Sequence, residues 1–254
     1  HEISVQPITQ RIRYYETYRM VNGKKKVLSR KEVSRKNIVG KVTTKLSKPF
    51  DRKLKAYLKS MGVGVAMLDL LRMSDSRSVP LIGMLTRLPR RKRIDLLPEV
   101  LPKLLQERDV RFVALGSGEA QYERFMHDLQ QRFPGRVVFY SGYSEELAHF
   151  IEAAADIFLM PSLYEPCGLN QMYSLKYGTV PVVRRTGGLA DSVQHFDPTT
   201  GQGTGVVFND FDAGGLRWAL QTALEWYGWP GVWHRLVQDG MQQDFSWDAR
   251  IGEY

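Results

Sequence analysis

The chain of 254 residues has a single cysteine, Cys167. One thiol excludes an intramolecular disulfide framework and a multi-cysteine zinc site, and it fits a reducing compartment. The five histidines are scattered without metal-ligand spacing, so no metal site is expected. Long apolar runs are missing too. Stretches such as 157–160 and 180–183 fall far short of the ~20 residues a bilayer requires, so no membrane association is expected. The sequence begins with His1 and shows no charged-then-apolar leader, and it reads as a fragment or a processed product. Acidic residues are scarce in the first quarter. Residues 1–60 hold 4 Asp+Glu against 17 Lys+Arg, whereas the rest holds 23 against 19. The net charge of +9 therefore describes the first quarter alone. Hydrophobic residues at 43% and charged residues at 25% are ordinary for a globular chain, long enough for one large domain or two small ones.

In that basic quarter, clusters at 24–26, 30–31 and 35–36 accompany Tyr14, Tyr15 and Tyr18. Asn22-Gly23 is a turn signal that would close a hairpin between 14–21 and 26–28. Lys and Arg neutralise phosphates and tyrosines stack on bases, which makes a nucleic-acid arm one reading. The other is a solvated, partly disordered extension. No RNP, zinc or helix-turn-helix pattern accompanies the charges, which favours the second and leaves a nucleic-acid partner unsupported.

From Val79 the texture changes. Aliphatic runs at 80–85, 110–115, 136–140, 157–160, 180–183 and 205–208 alternate with amphipathic stretches at 94–105, 120–133, 145–154, 169–177 and 189–193. Runs with few polar interruptions fit strands covered on both faces, as in a parallel sheet. Strand then helix, repeated, predicts an α/β fold with a doubly wound parallel sheet, preceded by the basic extension. The polar stretch 73–78 divides a basic segment, 1–78, from a Rossmann-like domain, 79–254. Residues 54–73 are a helix or a linker, and two further helices are expected at 216–227 and 232–243. Glycines follow strands repeatedly, where such sheets dock ligands.

Three features at these strand ends carry chemistry. Arg87 and Lys92 follow the first strand, and paired cations there suit a diphosphate leaving group; crowding by Arg90, Arg91 and Arg93 allows a plain basic loop instead. Tyr164-Glu165-Pro166-Cys167-Gly168-Leu169-Asn170 follows the fourth strand. A carboxylate before a glycine-opened helix meets exposed N–H groups, an arrangement that holds sugar hydroxyls or serves as a simple cap. Cys167 has no histidine near it in sequence, so it reads as a packed or ligand-lining residue. Arg184-Arg185-Thr186-Gly187-Gly188-Leu189 follows the fifth strand, and its glycines allow close backbone approach to a phosphate.

The stretches 83–88, 161–171 and 183–191 that hold these features, with Gly142-Tyr143-Ser144-Glu145, Ala155-Asp156-Ile157-Phe158-Leu159-Met160, Gly203-Thr204-Gly205 and Phe245-Ser246-Trp247, resemble bacterial-type glycogen synthase and starch synthase across residues 79–254. The resemblance implies the carboxyl-terminal, nucleotide-binding half of a GT-B glycosyltransferase. Such enzymes transfer glucose from ADP-glucose, or UDP-glucose, to the non-reducing end of an α-1,4-glucan with retention. By that resemblance Arg87 and Lys92 grip the diphosphate, and Glu165 binds the donor glucose beside the reacting carbon. Cys167, Gly168 and Leu169 line the sugar site, Thr186, Gly187 and Gly188 seat the phosphates, and Tyr143 lies by the adenine. No cofactor is implied beyond the nucleotide sugar. Tyr173 stands where many other retaining GT-B enzymes carry a second glutamate, as the synthases do not.

Two departures accompany the match. Arg91-Lys92-Arg93 replaces the usual Gln-Lys-Gly, and the family's amino-terminal domain, with its Lys-x-Gly-Gly-Leu loop and catalytic histidine, has no counterpart here. The α-glucan acceptor would be held through that missing domain, so these residues alone are expected not to catalyse transfer. The resemblance places the protein in the cytoplasm of a bacterium, or in the plastid stroma of a plant or alga. The competing reading is a non-catalytic nucleotide-sugar-binding module with a basic interaction arm.

Overall fold

The computed structural model describes residues 2–8, 12–21, 24–33, 79–86 and 94–245. Two compact units divide the chain, His1–Leu68 and Asp69–Tyr254. The stretch 73–78, where the sequence places the boundary, and the helix or linker at 54–73 lie outside the described residues.

The first unit holds β1 (Glu2–Ile8), β2 (Ile12–Val21) and β3 (Lys24–Val33), an antiparallel meander in the order β1-β2-β3. Strands occupy 2–8, 12–21 and 24–33, within the segment that the sequence reading takes as an extension. The expected hairpin is present with longer strands, its last pair being Val21↔Lys24. The pattern is hard to see in the sequence because the two faces of the sheet differ in charge balance, one wholly basic and one mixed, and not in hydropathy. Its register puts Arg13, Arg19, Lys24, Lys26 and Lys31 at positions of one face, and Glu2, Glu16 and Glu32, together with Lys25 and Arg30, at positions of the other. The rest of the basic quarter lies outside the described residues.

The second unit is a six-stranded, all-parallel sheet. Its strands are β4 (Leu81–Leu85), β5 (Arg111–Gly116), β6 (Val137–Ser141), β7 (Ile157–Met160), β8 (Val180–Arg184) and β9 (Val206–Phe208). Between and after them run α1 (Leu97–Glu107, entered through a 3-10 turn at Ile94–Leu96), α2 (Ala120–Arg132), α3 (Glu145–Ala154), α4 (Asn170–Tyr177), α5 (Gly187–Ser192), α6 (Ala213–Tyr227) and α7 (Pro230–Gln242). The spatial order β6-β5-β4-β7-β8-β9 is the doubly wound order, reversing between β4 and β7.

Both faces of the sheet are covered, which is why the strands read as continuous apolar runs. Ile157 and Leu159 of β7 join Phe112 of β5 and Leu216 of α6 in one core; Phe158 and Met160 turn the other way, to Leu189 of α5 and Val207. α1 buries Leu97, Val100, Leu101, Leu104 and Leu105, a single stripe at helical spacing. α3 closes on β4 at Gly83, where a Cβ would lie 2.9 Å from that of Ala155. Pro181 is tolerated inside β8 because pairing with β9 begins one residue later, at Val182. The ends are capped: Ser144 accepts the Leu147 N–H and Asp212 accepts the Gly215 N–H. At the sheet's margin His195 Nδ1 accepts the Val207 N–H at 3.1 Å, which needs a neutral ring. Burial, with a smaller push from Arg185, lowers the pKa of His195, in the direction that favours that neutral form.

One buried carboxyl stands apart from the carboxyl ends of the strands. Glu152 of α3 is almost wholly enclosed, its Oε2 3.0 Å from Nδ1 of His149, and burial raises its pKa to about 8. Between pH 4.5 and about 8 the fold holds a proton that the unfolded chain releases. Stability therefore falls as pH rises through that window, by at most about 1.4 kcal/mol per pH unit, and levels off above it. Glu152→Gln is expected to flatten this slope, as urea midpoints taken from about pH 5 to about pH 9 would report. A variant whose midpoints track the parent's across the range would refute the assignment.

Candidate functional site

The carboxyl ends of the strands converge at the switch between β4 and β7. A small crevice there is lined by Met84 and Leu85 of β4 with Thr86 just beyond it, and by Leu159 and Met160 of β7 with Pro161 and Ser162 just beyond it. The backbone crowds closely on the β5 side. Thr86 N–H donates to Leu115 O at 3.0 Å, and a Cβ on Gly116 would collide with the Thr86 carbonyl, so only glycine fits. Glu123 of α2 then ties the neighbouring loops together. It accepts from the Gly118 N–H at 2.8 Å and from the Ser141 hydroxyl at 2.9 Å. Tyr143, just beyond β6, is 82% exposed over this edge. Arg87 and Lys92, which follow β4 in the sequence, lie outside the described residues.

The loop after β7 carries the densest chemistry. Ser162 is buried and donates its hydroxyl to Glu165 Oε2 at 3.3 Å, which orients the half-buried carboxylate. Cys167 is exposed, its Sγ 3.5 Å from its neighbour's carbonyl, Gly168 O. Gly168 has φ +71°, a left-handed conformation that suits glycine. Leu169 is exposed, and α4 begins at Asn170. Among the described residues no protein acceptor takes the N–H groups of Gly168, Leu169 or Asn170. They are the unsatisfied donors every helix start presents, here facing an open edge.

The loop after β8 lies directly on this one. Arg184 donates to Leu163 O at 3.0 Å and the Thr186 hydroxyl donates to the same carbonyl at 3.3 Å. Gly188 N–H donates to Glu165 O at 3.0 Å. A Cβ on Gly187 would collide with the Glu165 carbonyl, and one on Gly188 with the Cys167 carbonyl. The two glycines thus let one loop's backbone rest on the other's. Arg184 also stacks over Phe211, 4.3 Å from the ring centroid, which brings the loop after β9 to the same edge.

Of the residues singled out from the sequence, the structure brings Glu165, Cys167, Gly168, Leu169, Thr186, Gly187 and Gly188 into one two-loop assembly. Tyr143 stands on the same sheet edge. Tyr173 is instead half-exposed on α4, edge-on to His149 at 5.6 Å. Sequence reasoning gave no role to Ser162, Gln171 or Ser192. Ser162 carried one usable signal, a hydroxyl three residues before the carboxylate. Among the described residues no cluster of three His, Cys, Asp or Glu could hold a metal ion, and no helix is long and apolar enough to cross a membrane.

Residues 76–227 match the family of glycosyl transferases group 1. A glycogen synthase of Hydrogenovibrio crunogenus is 47% identical over 178 residues, covering 69% of this chain and 36% of that protein. A glycogen synthase of Bacillus cereus strain Q1 is 43% identical over 180 residues, covering 71% and 38%. Among solved structures, the catalytic domain of starch synthase IV from Arabidopsis thaliana, bound to ADP and acarbose, superposes with TM-score 0.65 at 34% identity, covering 74% of this chain and 41% of that one. A sucrose-phosphate synthase from Thermosynechococcus elongatus, at 24% identity and TM-score 0.54, shares the fold. The chain spans 36% and 38% of the two curated relatives' lengths.

Proposed function

The chain belongs to the group 1 glycosyl transferases, and from that membership we propose that it carries the donor-binding half of a glycogen or starch synthase. The substrate is ADP-glucose, and the glucosyl group passes, with retention, to the non-reducing end of an α-1,4-glucan. The observation that carries this reading is the convergence of the β7 and β8 loops. A half-buried carboxylate, three unsatisfied N–H groups and an exposed aromatic share one open sheet edge. The identity to glycogen synthases supports the substrate class, and a starch synthase neighbour holds ADP.

In this reading Arg87 and Lys92 bind the diphosphate and offset the charge that grows on it as the glycosidic bond breaks. Glu165, held by Ser162, accepts hydrogen bonds from the glucose hydroxyls beside the reacting carbon. The N–H groups around Cys167, Gly168 and Leu169 line the sugar and phosphate, while Thr186, Gly187 and Gly188 shape the phosphate seat by bracing the β7 loop. Tyr143 covers the adenine. Cations and N–H groups suffice for a diphosphate, so the proposed donor site uses no metal and no cofactor. The acceptor glucan is bound by a further domain, and the protein acts in the bacterial cytoplasm.

Glu165→Gln tests the assignment. ADP should bind the variant as it binds the parent, because the side chain faces the sugar. ADP-glucose should lose its advantage over ADP, a change of about 1.5–3 kcal/mol for a charge-assisted hydrogen bond. Calorimetry with both ligands reads the difference. Loss of ADP binding, or an undiminished preference for ADP-glucose, would defeat the assignment.

A further inference from the structure

Gln171 is fully buried in the first turn of α4, although a polar residue there is free to face water. Its Nε2 lies 3.1 Å from Cys167 O, 3.0 Å from Gly168 O and 3.0 Å from Ser192 Oγ. The two carbonyls and the hydroxyl share its two hydrogens. Ser192 in turn donates to Gly188 O at 2.5 Å. One amide thus clamps the β7 loop to α5, behind the site.

The clamp has a directional consequence. In a planar trans peptide the carbonyl and the following N–H point opposite ways. With the Cys167 and Gly168 carbonyls drawn inward to Gln171, the N–H groups of Gly168 and Leu169 are turned outward. Gly168 has φ +71° and Leu169 is right-handed at φ −116°, ψ −31°. Successive residues of opposite hand form a concavity of N–H groups suited to anionic oxygens. Neither N–H has an acceptor among the described residues. Gln171 Oε1 is buried without a partner and lies 2.5 Å from where a Gly168 Cβ would stand, so Gln171 and Gly168 constrain one another.

We propose that Gln171 is a positioning residue, whose carboxamide holds the Cys167–Leu169 backbone so that its N–H groups face the donor's phosphate and sugar oxygens. The inference rests on the donor-site reading. It touches no substrate itself and acts only through the loop it clamps.

Gln171→Met keeps the volume and removes the donor. Binding of ADP-glucose to the folded variant, followed by calorimetry beside its thermal unfolding, is expected to weaken about tenfold, the worth of the misaligned N–H contacts. A folded Gln171→Met chain that binds ADP-glucose within twofold of the parent would overturn the proposal. Should the variant fail to fold, the parent decides the matter. Amide NMR during an ADP-glucose titration must show Gly168 and Leu169 N–H among the most shifted signals. Binding that leaves both unmoved overturns the positioning role while preserving the donor-site reading. A parent chain that binds no ADP-glucose overturns both.

Discussion

Gly188→Val is expected to lose ADP-glucose binding at least tenfold and to unfold at lower denaturant, by about 3 kcal/mol or more. The missing side chain is the reason the β8 loop reaches the β7 loop at all. A Cβ there would enter the Cys167 carbonyl, which is backbone and has no rotamer to escape into. Overpacking of this kind costs about 1–3 kcal/mol against yielding side chains, and more where the backbone must move. Any retreat also breaks the Gly188 N–H bond to Glu165 O and pulls Ser192 from Gln171, so the site opens with the fold. Gly231→Ala is the control. A Cβ on Gly231 meets nothing within 4 Å, and alanine in α7 should be neutral or stabilising. Urea unfolding and calorimetry on both variants test this. A Gly188→Val chain with the parent's midpoint would show that the loops do not rest on each other as described.

The second large effect is an absence of turnover. A preparation of these 254 residues alone should incorporate no glucose from labelled ADP-glucose into glycogen above background. Transfer needs an acceptor held against the donor and water kept out, and both require a second wall to the cleft. The chain spans 36% of one curated glycogen synthase and 38% of another. Where only one wall is present, the effective concentration of acceptor at the glucose falls to its bulk value, forfeiting several orders of magnitude in rate. Steady incorporation by the purified chain would contradict this, and would require an acceptor site within these residues.

How legible the protein is in its sequence differs from one part to another, for physical reasons. The sheet could be read because its strands are buried on both faces. Residues 157–160 carry no polar side chain, and the strand occupies those residues and no others. The doubly wound order followed from the alternation. The 3-10 entry to α1 did not, since residues 94–105 read as one helix. The meander of the first unit was legible only at its Asn22-Gly23 turn, because its faces differ in charge while apolar residues occur on both. In the site, Gly187 and Gly188 were visible as a motif, yet their reason was not. Sequence suggested room for a phosphate, and the structure shows room for another loop's carbonyls. The roles of Gln171 and Glu152 escaped altogether. A lone polar residue in a helix reads as solvent-facing, and only the packing of α3, α4 and α5 reveals that these two are enclosed.

The central claim is that the carboxyl edge of this sheet binds a nucleoside-diphosphate sugar, and titration of ADP into the chain by calorimetry tests it most directly. The account predicts saturable one-to-one binding without added metal, weakening as salt rises because the open edge leaves the charges screened. It also predicts that Lys92→Ala weakens the binding by about 1.5–3 kcal/mol, the range for a charge-assisted hydrogen bond. ADP binding no tighter than that of inorganic tripolyphosphate, or binding indifferent to Lys92→Ala, would contradict it.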